Sequence, residues 1–220
     1  MSCLSHADLG GQTHREPVLP EAEGEVFHAP WEARALAVTL AMGATGSWNL
    51  DMSRAARETL SDYAASSYYR IWIAALEKLL AERGLALSDE LAAGRTLHAA
   101  KPVARVLRAA DVAATLAKGS PTERAPQAPP RFQLGDLVRT RSHRVGHHTR
   151  LPGYAHGKSG RIESVHGVHV FADTNAQGLG EQPQWLYRVA FSGPELWGDE
   201  AAPGLSVALD TWESCLEPET

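Results

Sequence analysis

The loop Val145-Gly-His-His-Thr-Arg-Leu-Pro-Gly-Tyr154 carries the residue types most suited to chemistry. An arginine held between Gly and Pro presents a planar fork of donors that matches an oxyanion, so Arg150 is a candidate anion ligand. The plainer alternative is a solvated surface loop. His147 and His148 invite a metal reading, but adjacent residues in extended chain point apart, and no Cys or carboxylate stands at ligand spacing. Arg54 follows Asp51, a good N-cap, and so falls in the first turn of a helix, where a cation opposes the helix dipole. It is either an ordinary surface arginine or, with the free backbone N–H groups, the receiver of an anion. Tyr68 and Trp72 in Tyr68-Tyr-Arg-Ile-Trp72 are four apart and share a helix face. Such a stripe is either core or the apolar wall of a pocket with a phenol as its polar handle. There is no Ser–His–Asp order to defend, and Gly157-Lys-Ser-Gly160 lacks the upstream Gly of a phosphate-binding loop.

The elements that must position these residues fall into four stretches. Residues 1–30 hold Gly10, Gly11, Pro17, Pro20, Gly24 and Pro30 with little periodicity, and read as an extended arm, disordered or wrapped on a partner. The apolar pair Val26–Phe27 favours some docking. Residues 31–117 read as helical: Trp31–Met42, a helix capped by Asp51 and running to Leu60, Ser66–Arg83 closed by Gly84, a short helix from Ser88 to Gly94, and one started by Pro102 whose face carries Val103, Val106, Leu107, Val112 and Leu116. Residues 118–131 are a Pro-rich linker, expected to be extended and outside both helix and sheet. Residues 132–220 read as β, with runs at 137–140, 160–165, 185–191 and 205–209 between turn residues, a small barrel of SH3-like size. The fold class is α+β.

The totals exclude several classes. A chain of 220 residues with 44% apolar content can bury a core without disulfides. Its net charge of −5 argues against a general nucleic-acid binder. The charge is uneven: Arg131, Arg139, Arg141, Arg144, Arg150, Lys158 and Arg161 face only Asp136 and Glu163 in the stretch 131–170, so the middle of the chain is the part expected to meet something anionic. Cys3 and Cys215 belong to no CxxC pair, which excludes a cysteine zinc site. No signal-peptide pattern and no apolar run of membrane-spanning length is visible, so a cytoplasmic location is expected.

Five stretches in order resemble the nitrile hydratase β subunit: Phe27-His-Ala-Pro-Trp-Glu32; Gly146–Tyr154 with Gly157-Lys-Ser-Gly-Arg-Ile162; Gly178-Leu-Gly180; Tyr187-Arg-Val-Ala-Phe191 with Glu195-Leu-Trp-Gly-Asp199; and Asp210-Thr-Trp-Glu213 followed by Leu216. The resemblance covers nearly the whole chain. It implies an αβ heterodimer, often doubled to a heterotetramer, that hydrates nitriles to amides. It also implies a low-spin Fe(III) or Co(III) held by the α subunit in a Cys-x-x-Cys-Ser-Cys loop with two cysteines oxidised to sulfinic and sulfenic acids, and no metal bound by this chain. By position, Arg54 and Arg150 correspond to the two catalytic arginines that hydrogen-bond those acids. Tyr68 and Trp72 match aromatics of the substrate pocket, and Leu50 is a further substrate-binding candidate. The chain departs from the family in the arm, where Gln12-Thr-His-Arg-Glu-Pro17 replaces a Gly-rich stretch, and in one extra residue between Gly146 and Arg150.

Three other readings compete. Activator proteins that load the metal resemble the helical half, including Trp31-Glu-Ala-Arg-Ala-Leu36, but lack a barrel. Thiocyanate hydrolase subunits divide the two halves between separate polypeptides. A nucleic-acid module is disfavoured by acidity.

Overall fold

Pro30 opens the first helix, where its missing N–H costs nothing, giving α1 (Pro30–Gly43). Glu32 in that first turn accepts the backbone N–H of His28 at 2.7 Å. The second helix, α2 (Leu50–Glu58), is capped by Asn49, whose side-chain oxygen accepts from the Met52 N–H at 2.8 Å. Asp51, expected as the cap, instead lies inside the first turn and is buried. The longest helix, α3 (Tyr68–Arg83), begins two residues later than its Ser66 start was read and ends at Gly84, whose φ of 62° is the left-handed cap that glycine adopts without strain. It packs on α1 and α2 around Trp48, Ala56, Ala75, Leu76 and Leu79, with Met42, Met52 and Leu80 at the margin.

The computed structural model describes residues 5–12, 17–142 and 146–219. It divides into two compact units, Ser5–Gly119 and Ser120–Thr220. Cys3, Arg144, Val145 and the departure at 13–16 lie outside the described residues.

The rest of the helical unit is sparser. A short α4 (Ser88–Ala93) ends at Gly94. The helix read from Pro102 onward is mostly absent: 102–108 forms none, and only α5 (Val112–Lys118) follows a 3-10 turn. Val106 and Leu116 are 66% and 53% exposed while Val103, Leu107 and Val112 are only half-buried, so the apolar stripe is incompletely packed, and a short helix without a packed face is marginal. In the arm, residues 17–26 have neither helix nor strand, with Val18, Leu19 and Val26 exposed. Besides the His28–Glu32 bond, its described parts touch the unit where the His6 N–H donates to the Glu58 carbonyl at 2.7 Å and where the Phe27 ring lies 5.5 Å from that of Tyr69.

In the sheet unit, β1 (Glu123–Arg124) corrects the linker reading. Proline removes only its own donor, and Glu123 and Arg124, between Pro121 and Pro126, remain free to pair with His169 and Val168. The other strands are β2 (Leu137–Thr140), β3 (Ser159–His169), β4 (Gln184–Ser192), β5 (Ser206–Trp212) and β6 (Leu216–Pro218), all antiparallel, in the order β5-β4-β3-β2-β6 with β1 also on β3. Among the described residues no ladder joins β5 to β6, so hydrogen bonding does not complete the expected barrel closure. The two edges are nonetheless separated only by the 3-10 turn Glu213–Cys215, which forces the sheet to curl. Register shifts at Ile162/Ser164 and Val165/Gly167 bend β3 and extend it beyond the run first read. Phe132, Val138, Ile162, Tyr187, Val189, Phe191, Leu196 and Leu216 form the core. Gly160 permits it: a Cβ there would stand 2.6 Å from Val189 Cγ1 and 2.7 Å from the Ala190 carbonyl. Two further short helices are α6 (Ala172–Ala176) and α7 (Gly193–Trp197). Among the described residues no helix is long and apolar enough to cross a membrane.

Candidate functional site

With Asn49 as cap, Arg54 moves to the second turn of α2, past the free N–H groups with which it was grouped. Its side chain is part-exposed, and among the described residues its guanidinium forms no hydrogen bond or ion pair. Leu50, four residues earlier on the same side, is 50% exposed. Arg57, one turn further, is the residue that sequence reasoning missed. Its guanidinium lies 4.6 Å over the Trp72 ring, and its Nε donates to the Ser53 carbonyl at 3.1 Å. Burial lowers the Arg57 pKa most, Tyr68 opposes that, and the neighbouring charge of Arg54 lowers it further. A basic residue three or four positions from Arg54 was visible in the sequence; an aromatic partner fifteen residues away was not.

Tyr68 and Trp72 do share a side of α3, but it is not the buried one. The buried stripe is Ile71, Ala75, Leu76 and Leu79, while Tyr68 is 64% exposed and Trp72 only partly covered. The Tyr68 and Trp72 rings are 5.6 Å apart, and Tyr69 joins them at 5.1 and 6.1 Å. The N-terminal end of α3 is therefore an aromatic surface with the Arg57 cation stacked on it.

Arg150 belongs to the sheet unit. Its loop has no helix or strand from Gly146 to Pro152, after which Gly153–Ala155 makes one 3-10 turn. Arg150 is exposed, while its neighbours His148 and Leu151 are buried. Asp173 of α6, which the sequence did not single out, reaches this loop. Its carboxyl lies near Thr149 and the Arg150 backbone and within the electrostatic reach of His148 and His147. Burial pushes the Asp173 pKa up, and those groups pull it partly back.

The basic stretch expected to face an anion is largely engaged inside its own unit. Arg139 pairs with Glu219, Arg161 donates to the Gly135 carbonyl, and the Lys158 ammonium donates to the Glu195 carbonyl at 2.8 Å. The metal reading of the His pair gains no support: among the described residues no group of three His, Cys, Asp or Glu could hold an ion. Burial pushes the Cys215 thiol up to about 11, so it is protonated at neutral pH and a poor ligand.

Two family models account for the two halves of the chain: nitrile hydratase beta subunit, N-terminal, over residues 4–118, and nitrile hydratase beta subunit, C-terminal, over 121–218. Among curated relatives, the low-molecular weight cobalt-containing nitrile hydratase subunit beta of Rhodococcus rhodochrous is 36% identical over 220 residues, 96% of this chain and 97% of that one. The nitrile hydratase subunit beta of Pseudomonas putida is 35% identical over 214 residues, covering 96% and 97%. The cobalt-containing subunit beta of Pseudonocardia thermophila is 32% identical over 219 residues, covering 96% and 94%.

Proposed function

The chain belongs to the nitrile hydratase beta subunit family, and from that premise we propose that it is the non-metal-binding subunit of a hydro-lyase that adds water across the C≡N bond of a nitrile to give an amide. Its partner in this reading is an α subunit, in a heterodimer or heterotetramer in the cytoplasm. That subunit holds Fe(III) or Co(III) in a Cys-x-x-Cys-Ser-Cys loop with oxidised cysteines. In this reading the part of this chain is to hold groups around the ion rather than the ion itself. The curled sheet is read as an SH3-like barrel whose edges are joined by the turn after β5.

The observation that carries the chemistry is Arg54: a part-exposed guanidinium that, among the described residues, has no hydrogen bond or ion pair, beside a second arginine that is stacked and engaged. Sulfur oxyacids accept hydrogen bonds and cannot donate when ionised, so burying them at a subunit interface requires charged donors. Arg54, and Arg150 from its loop, supply permanently cationic, planar forks that hold such oxygens in place where a lysine would offer a point charge. Tyr68, Trp72 and Leu50 supply the apolar surface for the organic part of the substrate, with the phenol as its one polar handle.

Co-expression with the Cys-x-x-Cys-Ser-Cys chain, followed by an amide-formation assay, tests the proposal. The expected result is a complex that remains 1:1 after metal loading, with activity absent from either chain alone. Arg54→Lys and Arg150→Lys each leave a buried oxyanion poorly paired, a cost of about 3–5 kcal/mol and therefore roughly a hundred- to several-thousand-fold in rate. Wild-type rates in both variants, or a β chain that departs once the metal is loaded, would refute it.

A further inference from the structure

Arg57 puts a positive charge on the aromatic surface of α3. Its guanidinium carbon lies 4.6 Å from the centre of the Trp72 ring, and the Tyr68 ring borders the same indole at 5.6 Å. Its Nε donates to the Ser53 carbonyl at 3.1 Å and its Nη2 to the Ser53 hydroxyl at 3.4 Å. Both acceptors are neutral, and among the described residues no carboxylate forms an ion pair with Arg57. Glu58 acts on it electrostatically less than its fellow cation Arg54 does. An apolar residue of the same length would cover Trp72 without the desolvation of a charge, which is the largest influence on this arginine.

We propose that Arg57 is a specificity-determining residue: the charge it holds against Trp72 makes the aromatic surface favour nitriles whose far end is a carboxylate and disfavour those whose far end is an ammonium. The inference rests on the reading of Tyr68 and Trp72 as the surface for the organic part of the substrate.

The geometry sets the size of the effect. A substrate group in contact with the indole stands about 3.5–4 Å from it. On the ring face opposite a guanidinium at 4.6 Å it is then on the order of 8 Å from the charge, and closer at the ring edge. Arg57 and Trp72 are both partly covered, so the effective dielectric lies between the about 20 of a surface pair and the about 80 of water. One unit charge at that distance changes kcat/KM roughly three- to tenfold at low salt, in opposite senses for an anion and a cation. The charged end is remote from the reacting carbon and meets the same field before and during reaction, so the preference enters through KM. Arg54 does not duplicate it in this reading, because its charge is taken up by the partner's oxyacids.

The test uses the assembled complex and three nitriles of similar length: cyanopropanoate, butanenitrile and aminobutanenitrile, each charge at the end remote from the nitrile and the amine protonated at neutral pH. Each is assayed with wild type, Arg57→Met, Arg57→Gln and Arg57→Lys. Butanenitrile is the reference within each enzyme, so differences in intrinsic reactivity cancel between enzymes. Relative to it, Arg57→Met and Arg57→Gln are expected to lower kcat/KM for cyanopropanoate roughly three- to tenfold and to raise that for aminobutanenitrile as much, through KM. Arg57→Lys should hold both ratios within about twofold of wild type, because the charge remains. Added salt should compress the wild-type ratios toward those of Arg57→Gln. Shifts below about twofold in both neutral variants overturn the proposal. The full shift in Arg57→Lys also overturns it, by assigning the effect to packing on Trp72 rather than to charge. Should both neutral variants fail to assemble, the wild-type complex decides alone, and ratios indifferent to salt overturn the proposal. A wild-type complex that forms amide from none of the three nitriles refutes the functional reading and this inference with it. Activity with unshifted ratios leaves that reading standing and removes only the specificity assigned to Arg57.

Discussion

Replacing Arg57 by methionine separates the two arginines of α2, one engaged by the fold and one proposed to serve a partner. Methionine keeps the length and the apolar stem and removes only the cation. The guanidinium carbon lies 4.6 Å over Trp72, a geometry worth about 0.5–1 kcal/mol when exposed and about 2 kcal/mol when desolvated. Arg57 is partly covered, which places the stacking near 1–1.5 kcal/mol on that scale. Its Nε bond to Ser53 at 3.1 Å adds roughly 0.5 kcal/mol, because that carbonyl sits in the helix ladder. Repulsion from Arg54, which depresses the Arg57 pKa, is relieved by the substitution and returns a few tenths of a kcal/mol. The net expectation is a destabilisation of about 1–1.5 kcal/mol. The assay is a urea double-mutant cycle on the full-length chain, Arg57→Met with Trp72→Leu, followed by helical circular dichroism. A coupling of about 1 kcal/mol is expected, and one below about 0.3 kcal/mol would refute the stacking. The functional counterpart is sharper. In the complex, Arg57→Met should keep activity within about tenfold, while Arg54→Lys loses a hundredfold or more. Equal losses would mean that the roles of the two arginines have been assigned wrongly.

Two further outcomes test the frame around the site. Gly160→Ala forces a methyl against Val189 and the Ala190 carbonyl, the latter fixed in the β3–β4 ladder, and should cost about 2 kcal/mol or more in chemical unfolding. An unchanged midpoint would mean the strands do not approach so closely. After α4, the His98 ring bonds Asp89 at 2.7 Å while Glu90 accepts the Leu97 and His98 N–H groups, forming a clasp. The bond to Asp89 raises the His98 pKa above 6.5, so its contribution is complete below that unfolded value and is lost as pH rises through the folded one. An NMR titration should place His98 above 6.5 and return it there in Asp89→Asn; identical midpoints would show that no such clasp forms.

The elements legible in advance are those whose signals are local. Gly84 and Gly94 end helices in the left-handed conformation that glycine favours, and β2 spans the run 137–140 as read. What escaped depended on neighbours distant in the chain. Asn49 and Asp51 are both competent caps two residues apart, and the choice between them places Arg54 in the first turn or the second. The stripe from Val103 to Leu116 has helical spacing, but spacing becomes a helix only where a surface receives it. On α3, the stripes through Tyr68 and through Ile71 are both apolar. Packing on α1 and α2 selects the second and leaves the aromatic one outside.

The charged residues follow the same logic more severely. Counting bases in 131–170 located a region, yet Arg139, Lys158 and Arg161 are each satisfied by a carboxylate or carbonyl from elsewhere in the unit. An excess of cations in one stretch is therefore no measure of an anion-binding face, because folding delivers acceptors from distant sequence. What distinguishes a cation held for another molecule is the absence of such an internal acceptor, and that becomes visible only when the fold has placed all of them. Arg54 meets that condition among the described residues, in a helical unit where no charge count drew attention to it. Asp173 shows the same dependence on distant neighbours: an ordinary acid in Phe171-Ala-Asp173 until the fold buries it, which raises its pKa. A binding surface built for a partner chain is thus sought first among the cations that the fold leaves unengaged.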